Sequence, residues 1–276
     1  MTPVTTAVIL AAGLGSRLGE LGERRPKGLL PVGDQSLVAR SCAALVRAGI
    51  TRILVGTGHE EGAYRAFASG FDGADVECVY NPDYATTGSM ATLHALRDHL
   101  REPCLVLESD LLYEERALHR VLASPHPDVI LASGFTGAGD EVYMELDGAG
   151  RLRRLSKHPD DLQTLDAELV GITKLGVQAY ADACDLFAAR AGTDPRLDYE
   201  HCLMHLSQRG AGIPVEVVED LVWCEVDDTT HLERARTVIL PRVEGAITSP
   251  AGRSASYDHC SDGLLRLGAT LGGNPT

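Results

Sequence analysis

The sequence predicts an α/β fold: a doubly wound, mainly parallel sheet with a lobe of mixed strands grown on one edge. Three observations carry that prediction. Up to residue 128, short apolar runs alternate with stretches of helical periodicity, the pattern of parallel strands covered by crossover helices. From Val129 the runs shorten, and two of them flank Asp147-Gly148-Ala149-Gly150, a hairpin turn. No segment rich in Pro, Gly and Ser interrupts the chain before residue 248, so the two halves should share one sheet. The expected organisation is one domain over 1–247, divided into halves 1–128 and 129–247, with a loose tail over 248–276.

Each element follows from its residues. Ala7-Val8-Ile9-Leu10-Ala11-Ala12 reads as a buried strand, and Leu29–Val32 as a short extended piece. Ser36–Ala48 has Leu37, Val38, Cys42, Leu45 and Val46 at helical spacing and stops at Gly49. Arg52–Gly56, Val76–Tyr80 and Pro103–Glu108 are the next strands, with helices at Glu60–Ala68, Ser89–Leu100 and Glu114–Leu122. In the second half Val129–Ala132 is apolar. Val142–Leu146, Leu152–Leu155, Leu169–Leu175, Val215–Val218 and Val222–Val226 read as strands. Gln178–Ala189, Tyr199–Arg209 and His231–Ile239 read as helices. Beyond Thr248 the text loosens, and only Leu264–Leu271 suggests a short docking segment.

The first strand delivers chemistry. After Leu10, Ala11 and Ala12 the chain turns through Gly13-Leu14-Gly15-Ser16, presents Arg17, and passes Arg24-Arg25-Pro26 to reach Lys27. Small residues let backbone N–H groups approach a bound anion closely, and successive N–H groups form a concave anion site. A guanidinium and an ammonium add charge where a polyphosphate would lie. Two other phosphate grips are excluded. The P-loop needs a second glycine followed by Lys-Ser/Thr, and the dinucleotide fingerprint would need glycine at Leu18.

LAAGLGSRL over 10–18, followed by RPKGLLPVG over 25–33, resembles the nucleotidyltransferase signature L-A-A-G-x-G-x-R-L…P-K. The resemblance extends over roughly residues 4–240. It implies a Rossmann-like sheet of the nucleotide-diphospho-sugar transferase type. It also implies transfer of a nucleotidyl group to a phosphorylated small molecule, with release of pyrophosphate.

Four constellations then acquire roles. Asp110, in Glu108-Ser109-Asp110, ends a parallel strand, where open sheets bind ligands, and a carboxylate there suits Mg²⁺; a helix cap is the alternative. The resemblance supports metal at Asp110. In Trp223-Cys224-Glu225-Val226-Asp227-Asp228, strand alternation puts Glu225 and Asp227 on one face and Asp228 on the other. Asp227 is the second expected metal ligand, and Asp228 the expected cap of the following helix. Sugar-nucleotide enzymes of this family show Asp followed by Gly or Thr here. Glu-x-Asp-Asp is more similar to relatives that activate phosphocholine or aminoethylphosphonate, with Glu225 facing the cationic head group. Lys157 reads either as a solvated lysine or as a ligand for the acceptor's phosphate or phosphonate, and the resemblance favours the ligand. The loop Asn81–Ser89 opens a helix, which Gly88 and Ser89 can cap. In relatives this loop touches base and ribose, and a similar Asn-x-x-Tyr loop accompanies CTP.

The expected site therefore comprises Leu10, Ala11, Ala12, Gly13, Gly15, Ser16, Arg17, Lys27, Thr87, Gly88 and Ser89 for the nucleotide, and Lys157 and Glu225 for the acceptor. Asp110 and Asp227 would hold Mg²⁺, and Arg17, Lys27, Asp110 and Asp227 form the catalytic set. The expected reaction moves CMP from CTP to a small phosphonate. A sugar-1-phosphate nucleotidyltransferase using UTP or dTTP, a phosphocholine cytidylyltransferase and a non-catalytic nucleotide-binding module are the alternatives. A nicotinamide oxidoreductase is disfavoured by the missing glycine.

Composition sets the outer bounds. The 276 residues carry a net charge of −14, with 44% hydrophobic and 23% charged residues. An acidic chain argues against nucleic acid and anionic membranes as partners, so an anionic substrate must meet a local basic pocket. No window approaches about 18 apolar residues and the N-terminus lacks a signal pattern, so a cytoplasmic protein is expected. The seven cysteines are widely spaced without C-x-x-C and read as free thiols; the ten histidines show no metal spacing. A homodimer is left open.

Overall fold

The computed structural model describes residues 3–210 and 212–248. The expected tail beyond Thr248, with its suggested docking segment, lies outside the described residues. Strand β1 (Thr6–Ala11) leads into a 3-10 turn at Ser16–Leu18 and the short α1 (Glu20–Arg24). A second such turn, Lys27–Leu29, precedes the hairpin of β2 (Pro31–Val32) and β3 (Gln35–Ser36). Helix α2 (Leu37–Arg47) follows, capped by Ser36 Oγ, which accepts the Ala39 N–H at 3.2 Å. The alternation continues with β4 (Arg52–Thr57), α3 (Glu61–Ser69), β5 (Asp75–Tyr80), α4 (Ser89–Ala95) and β6 (Cys104–Glu108).

After β6 the chain forms β7 (Leu111–Tyr113) and then α5 (Arg116–Ala123). β7 lies outside the expected elements, and α5 starts two residues after the Glu114 expected from its periodicity. The mixed lobe comprises β8 (Val129–Ser133), β9 (Tyr143–Leu146), β10 (Leu152–Ser156), β11 (Ala167–Leu175), α6 (Val177–Arg190), α7 (Tyr199–Arg209) and β12 (Val215–Val218). The last elements are β13 (Trp223–Glu225), α8 (Thr229–Arg234) and α9 (Leu240–Thr248), with a π-helical turn at Ala235–Ile239 between the two helices. The helical segment thus runs past Ile239, where the sequence reading ended it. Pro241 explains the π turn: it has no N–H and crowds the preceding turn, and widening the helix there relieves both.

One nine-stranded sheet spans both halves. Its core is parallel, with β1 between β4 and β6, and β5 beyond β4. β11 then pairs antiparallel with β6, β8 and β9, β10 extends β9, and β12 lies parallel to β8. Alternation along β1 builds two cores. Ala7, Ile9 and Ala11 pack with Val38, Cys42 and Leu45 of α2, while Val8 and Leu10 pack with Met90 and Leu93 of α4 and, further out, Tyr180 of α6. The six cysteines among the described residues are free, as expected. Among those residues no helix is long and apolar enough to cross a membrane.

A third, smaller core positions the site. Leu18, Leu30, Val32 and Leu37, from the segment between β1 and the start of α2, pack against Leu112, Cys224, Val226, Leu232, Ile239 and Val243. β7 and β13 form a separate antiparallel ribbon, pairing Trp223 with Tyr113 and Glu225 with Leu111, and Val226 N–H donates to Asp110 O at 3.1 Å. That ribbon joins the segment around Asp110 to that around Asp227, more than a hundred residues apart in sequence, beneath the loop carrying Arg17 and Lys27.

Candidate active site

The turn after β1 takes its shape from Gly15, whose φ of 63° is a left-handed conformation that glycine adopts without strain. The following 3-10 turn buries Leu18 and leaves Arg17 exposed above the sheet, with Nη2 2.7 Å from Asp227 Oδ2. Pro26 precedes the turn that opens at Lys27, and the Lys27 side chain is largely buried between two carboxylates. Its ammonium donates to Asp110 Oδ2 and to Asp227 Oδ1.

Electrostatics follow from this arrangement. Burial opposes the charge on Lys27, but Asp110, Asp227 and Glu225 outweigh it and raise its pKa above the ordinary value. Burial would likewise raise the Asp227 carboxyl, yet Lys27, Arg17 and Lys157 hold it below the usual range. Glu225 is pushed up to about 7, chiefly by burial and by the nearby Asp110. Glu108 lies against Glu225 and is also raised, by burial first and then by Glu225 and Asp110. Two adjoining carboxyl groups therefore resist joint ionisation beside a salt-bridged Lys–Asp cluster.

A cleft of about 400 Å³ runs over these groups. Every residue expected to meet the nucleotide lines it: Leu10, Ala11, Ala12, Gly13, Gly15, Ser16, Arg17, Lys27, Thr87, Gly88 and Ser89. Tyr84 of the Asn-x-x-Tyr loop lines it too, as do Tyr64, Asp198 and Glu200, which the sequence pattern does not single out. Asn81 lies behind the wall: buried, it bonds Thr92 Oγ1 (3.1 Å) and Thr87 Oγ1 (3.4 Å) and accepts Asp83 N–H, so it shapes the loop. Asp228 accepts His231 N–H at 2.8 Å and caps α8, as expected.

A second cavity of about 300 Å³ adjoins the first and shares Glu108, Glu225, Asp198 and Glu200 with it. Lys157 and Glu225, the two expected acceptor residues, both line it. Its outer wall is the loop 134–142, fastened by Glu168, which accepts Thr136 N–H (2.6 Å) and Thr136 Oγ1–H (3.0 Å). Burial pushes the Glu168 carboxyl up to about 7, against the two Thr136 hydrogen bonds. Sequence reasoning missed Glu168, although a lone carboxylate inside the otherwise apolar run over 167–172 was a visible signal.

Carboxylates capable of holding a metal ion cluster here. Glu108, Asp110 and Glu225 offer oxygens within 4.8 Å of one another; Asp140, Asp227 and His231 form a second group, and Asp198, Glu200 and His201 a third. Asp110 Oδ1 is buried without a hydrogen-bond partner, an expensive arrangement that a cation would relieve. The acidic set thus fits a hard divalent cation. The two expected ligands fall in different groups, joined through the Lys27 ammonium.

Residues 7–169 match the model of a protein family described as the MobA-like NTP transferase domain. The chain belongs to this family. Among curated relatives of this chain, a CMP-5'-(3-aminopropyl)phosphonate synthase from Streptomyces rubellomurinus is 32% identical over 232 residues, covering 80% of this chain and 37% of that protein. A 2-aminoethylphosphonate cytidylyltransferase from Lancefieldella rimae is 27% identical over 158 residues, covering 57% of this chain and 63% of that protein. The chain therefore spans under two thirds of the length of these two relatives. Among solved structures, an inositol-1-phosphate CTP transferase from T. maritima superposes with a TM-score of 0.73 at 15% identity, covering 86% of this chain and 98% of that one. That likeness shows the fold, the nucleotide-diphospho-sugar transferase type expected from the motif.

Proposed function

We propose that this NTP transferase moves CMP from CTP to a small aminoalkylphosphonate and releases pyrophosphate. The observation that carries the reading is the pair of adjoining cavities. One holds the phosphate grip of Arg17 and Lys27, and the other has a lysine, Lys157, facing an otherwise acidic wall that includes Glu141, Glu168 and Glu225. A zwitterion with an anionic phosphonate and a cationic ammonium matches that polarity. The phosphonate cytidylyltransferases among its relatives support the same acceptor class.

An oxygen of the phosphonate attacks the α-phosphorus; the new P–O bond forms as the bond to the β-phosphate oxygen breaks. The nucleophile is already an anion near neutral pH, so catalysis consists of positioning and charge stabilisation. On this reading, Arg17 holds the β- and γ-phosphates, and Lys27 exchanges a carboxylate partner for the α-phosphate as negative charge builds there. Asp110 and Asp227 would hold Mg²⁺, which when bound neutralises phosphate charge and polarises the α-phosphate. Residues 1–128 would bind nucleotide and 129–247 the acceptor.

A pyrophosphate-release screen of CTP, UTP, ATP and dTTP against 2-aminoethylphosphonate, 3-aminopropylphosphonate, hydroxyethylphosphonate, phosphocholine and glucose 1-phosphate tests the proposal. CTP with an aminoalkylphosphonate should give the highest kcat/KM. Glucose 1-phosphate with UTP or dTTP as the best pair would overturn the acceptor assignment and leave only nucleotidyl transfer.

A further inference from the structure

Helices α4 and α7 exchange caps. Asp198 precedes α7 and is placed to cap that helix, yet its carboxylate turns away and accepts Ser89 N–H (3.1 Å) and Ser89 Oγ–H (3.2 Å) at the start of α4. Ser89 Oγ in turn accepts the N–H of Tyr199, the first residue of α7, at 2.8 Å. Backbone contacts flank the exchange: Gly88 N–H donates to Pro195 O (3.0 Å) and Met90 N–H to Leu197 O (3.2 Å). The two segments are so close that a Cβ on Gly88 would fall 2.4 Å from Arg196 O and 2.5 Å from Leu197 O, a separation that only glycine permits.

The chemistry of this contact excludes one role and points to another. The N–H groups of Gly88, Ser89 and Met90 are spent on segment 195–198 and that of Ala91 on Gly88 O, so they are not donors for a phosphate, and the Ser89 hydroxyl is committed on both sides. Gly88 and Ser89 belong to the nucleotide cleft, whereas segment 195–200 comes from the second half and lines both cavities through Asp198 and Glu200. The exchange is therefore a direct polar tie between the wall that would meet the nucleoside and the wall shared with the acceptor cavity.

We propose that Asp198, through its exchanged cap with Ser89, is a positioning residue that sets the register of the two cavities for in-line transfer. This rests on the reading of those cavities as nucleotide and acceptor sites. Loss of the tie should leave each cavity able to bind and misplace one reactant against the other. Misplacement by about 1 Å can cost about a hundredfold in rate.

The experiment compares D198A, D198N, S89A and the S89A/D198A double variant by steady-state kinetics with CTP and 2-aminoethylphosphonate, at a temperature where circular dichroism shows each folded. D198A should lower kcat roughly ten- to a hundredfold while both KM values stay within about threefold. D198N keeps an oxygen for Ser89 and should hold kcat within about threefold of wild type. Because the two residues act as one unit, the double variant should be no worse than the poorer single within about twofold. Wild-type kcat in D198A overturns the proposal. So does equal damage in D198N and D198A, which would show the carboxylate charge acting on substrate, and so do losses that multiply in the double variant. If D198A does not fold, S89A decides: a lower kcat at unchanged KM supports the tie, and a wild-type kcat overturns it. A wild-type protein inactive with every nucleotide and acceptor pair would instead sink the functional reading itself.

Discussion

The two cavities are built in opposite ways. In the cleft proposed for the nucleotide, the cations are paired within the protein: Lys27 lies between Asp110 and Asp227, and Arg17 backs Asp227. In the cavity proposed for the acceptor, Glu141 and Glu168 are buried without an ion pair among the described residues, and Lys157 is exposed. A paired cluster keeps its geometry when empty and offers a cation that is already desolvated. Carboxylates buried without a cation favour a ligand that brings one, because a buried charge is costly unless it is paired or protonated. The first arrangement suits a site that stabilises developing charge, the second one that selects a ligand by charge. Variants in the first should therefore affect turnover, and variants in the second should affect which acceptor is used and under what conditions.

The largest effect is expected from D110N and D227N. Each amide keeps the shape and removes the charge a hard cation needs, so Mg²⁺-dependent turnover should fall by about 10³-fold or more. The fold should survive, because Lys27 retains the other carboxylate as a partner. Activity titrated with Mg²⁺ measures this. A normal titration in both variants rejects the pair, and a normal titration in D227N alone moves the role to a neighbouring carboxylate.

K27A should come next. Removing a preorganised donor at the developing charge costs roughly 3–4 kcal/mol, a factor of about 10² to 10³ in turnover. CTP affinity should change far less, since Arg17 and the β1 turn remain. Single-turnover rates alongside equilibrium CTP binding separate the two. Turnover within about threefold of wild type would break the contrast between the two cavities, because the paired cluster would then be structural.

How much of this was legible beforehand divides along the same line. That the residues around Gly15, Arg17 and Lys27 share one cleft was readable because they lie close in sequence and follow from local backbone: an apolar strand, then a turn that needs Gly15. The capping role of Asp228 was readable for the same reason, a short polar side chain three residues before the N–H it accepts. The β7–β13 ribbon was not, since a three-residue strand has too few positions to show a period, and its pairing is a long-range choice made by packing. Asp198 was also hidden: its position predicts a cap for its own helix, and tertiary contact redirects it to another. Pro241 made one helical segment resemble a helix that stops at Ile239, whereas the chain passes it through a π turn. The acceptor cavity draws on the loop 134–142, β11, α7 and β13, so no stretch of sequence contains it.

A smaller and more selective effect is expected at Glu225, which lines both cavities. E225Q should raise the KM for 2-aminoethylphosphonate several-fold and barely change that for hydroxyethylphosphonate, which lacks the ammonium. A desolvated ion pair can contribute several kcal/mol and an exposed one only about 0–1 kcal/mol, so the size of the change reports how dry the contact is. Equal KM changes for both acceptors would assign Glu225 to the metal cluster or the fold.

The last effect bears on stability rather than turnover: a pH dependence at Glu168. Burial raises its folded pKa to about 7, above the roughly 4.3 of an unfolded glutamate. Between those values the folded chain binds more protons at this position than the unfolded chain. Its contribution to stability is therefore complete below about pH 4.3 and declines as pH rises towards 7, where the buried carboxyl must ionise. The Thr136 N–H and Oγ–H bonds oppose that trend only in part, since burial is the larger influence. E168Q carries a neutral carbonyl that can still accept from Thr136 and does not titrate. The urea midpoint of E168Q relative to wild type should therefore move in favour of the glutamine variant from about pH 5 to pH 7, then level off. A constant offset between the two proteins across pH 5 to 8 would show that Glu168 keeps an ordinary pKa and that the acceptor wall is no drier than the protein surface.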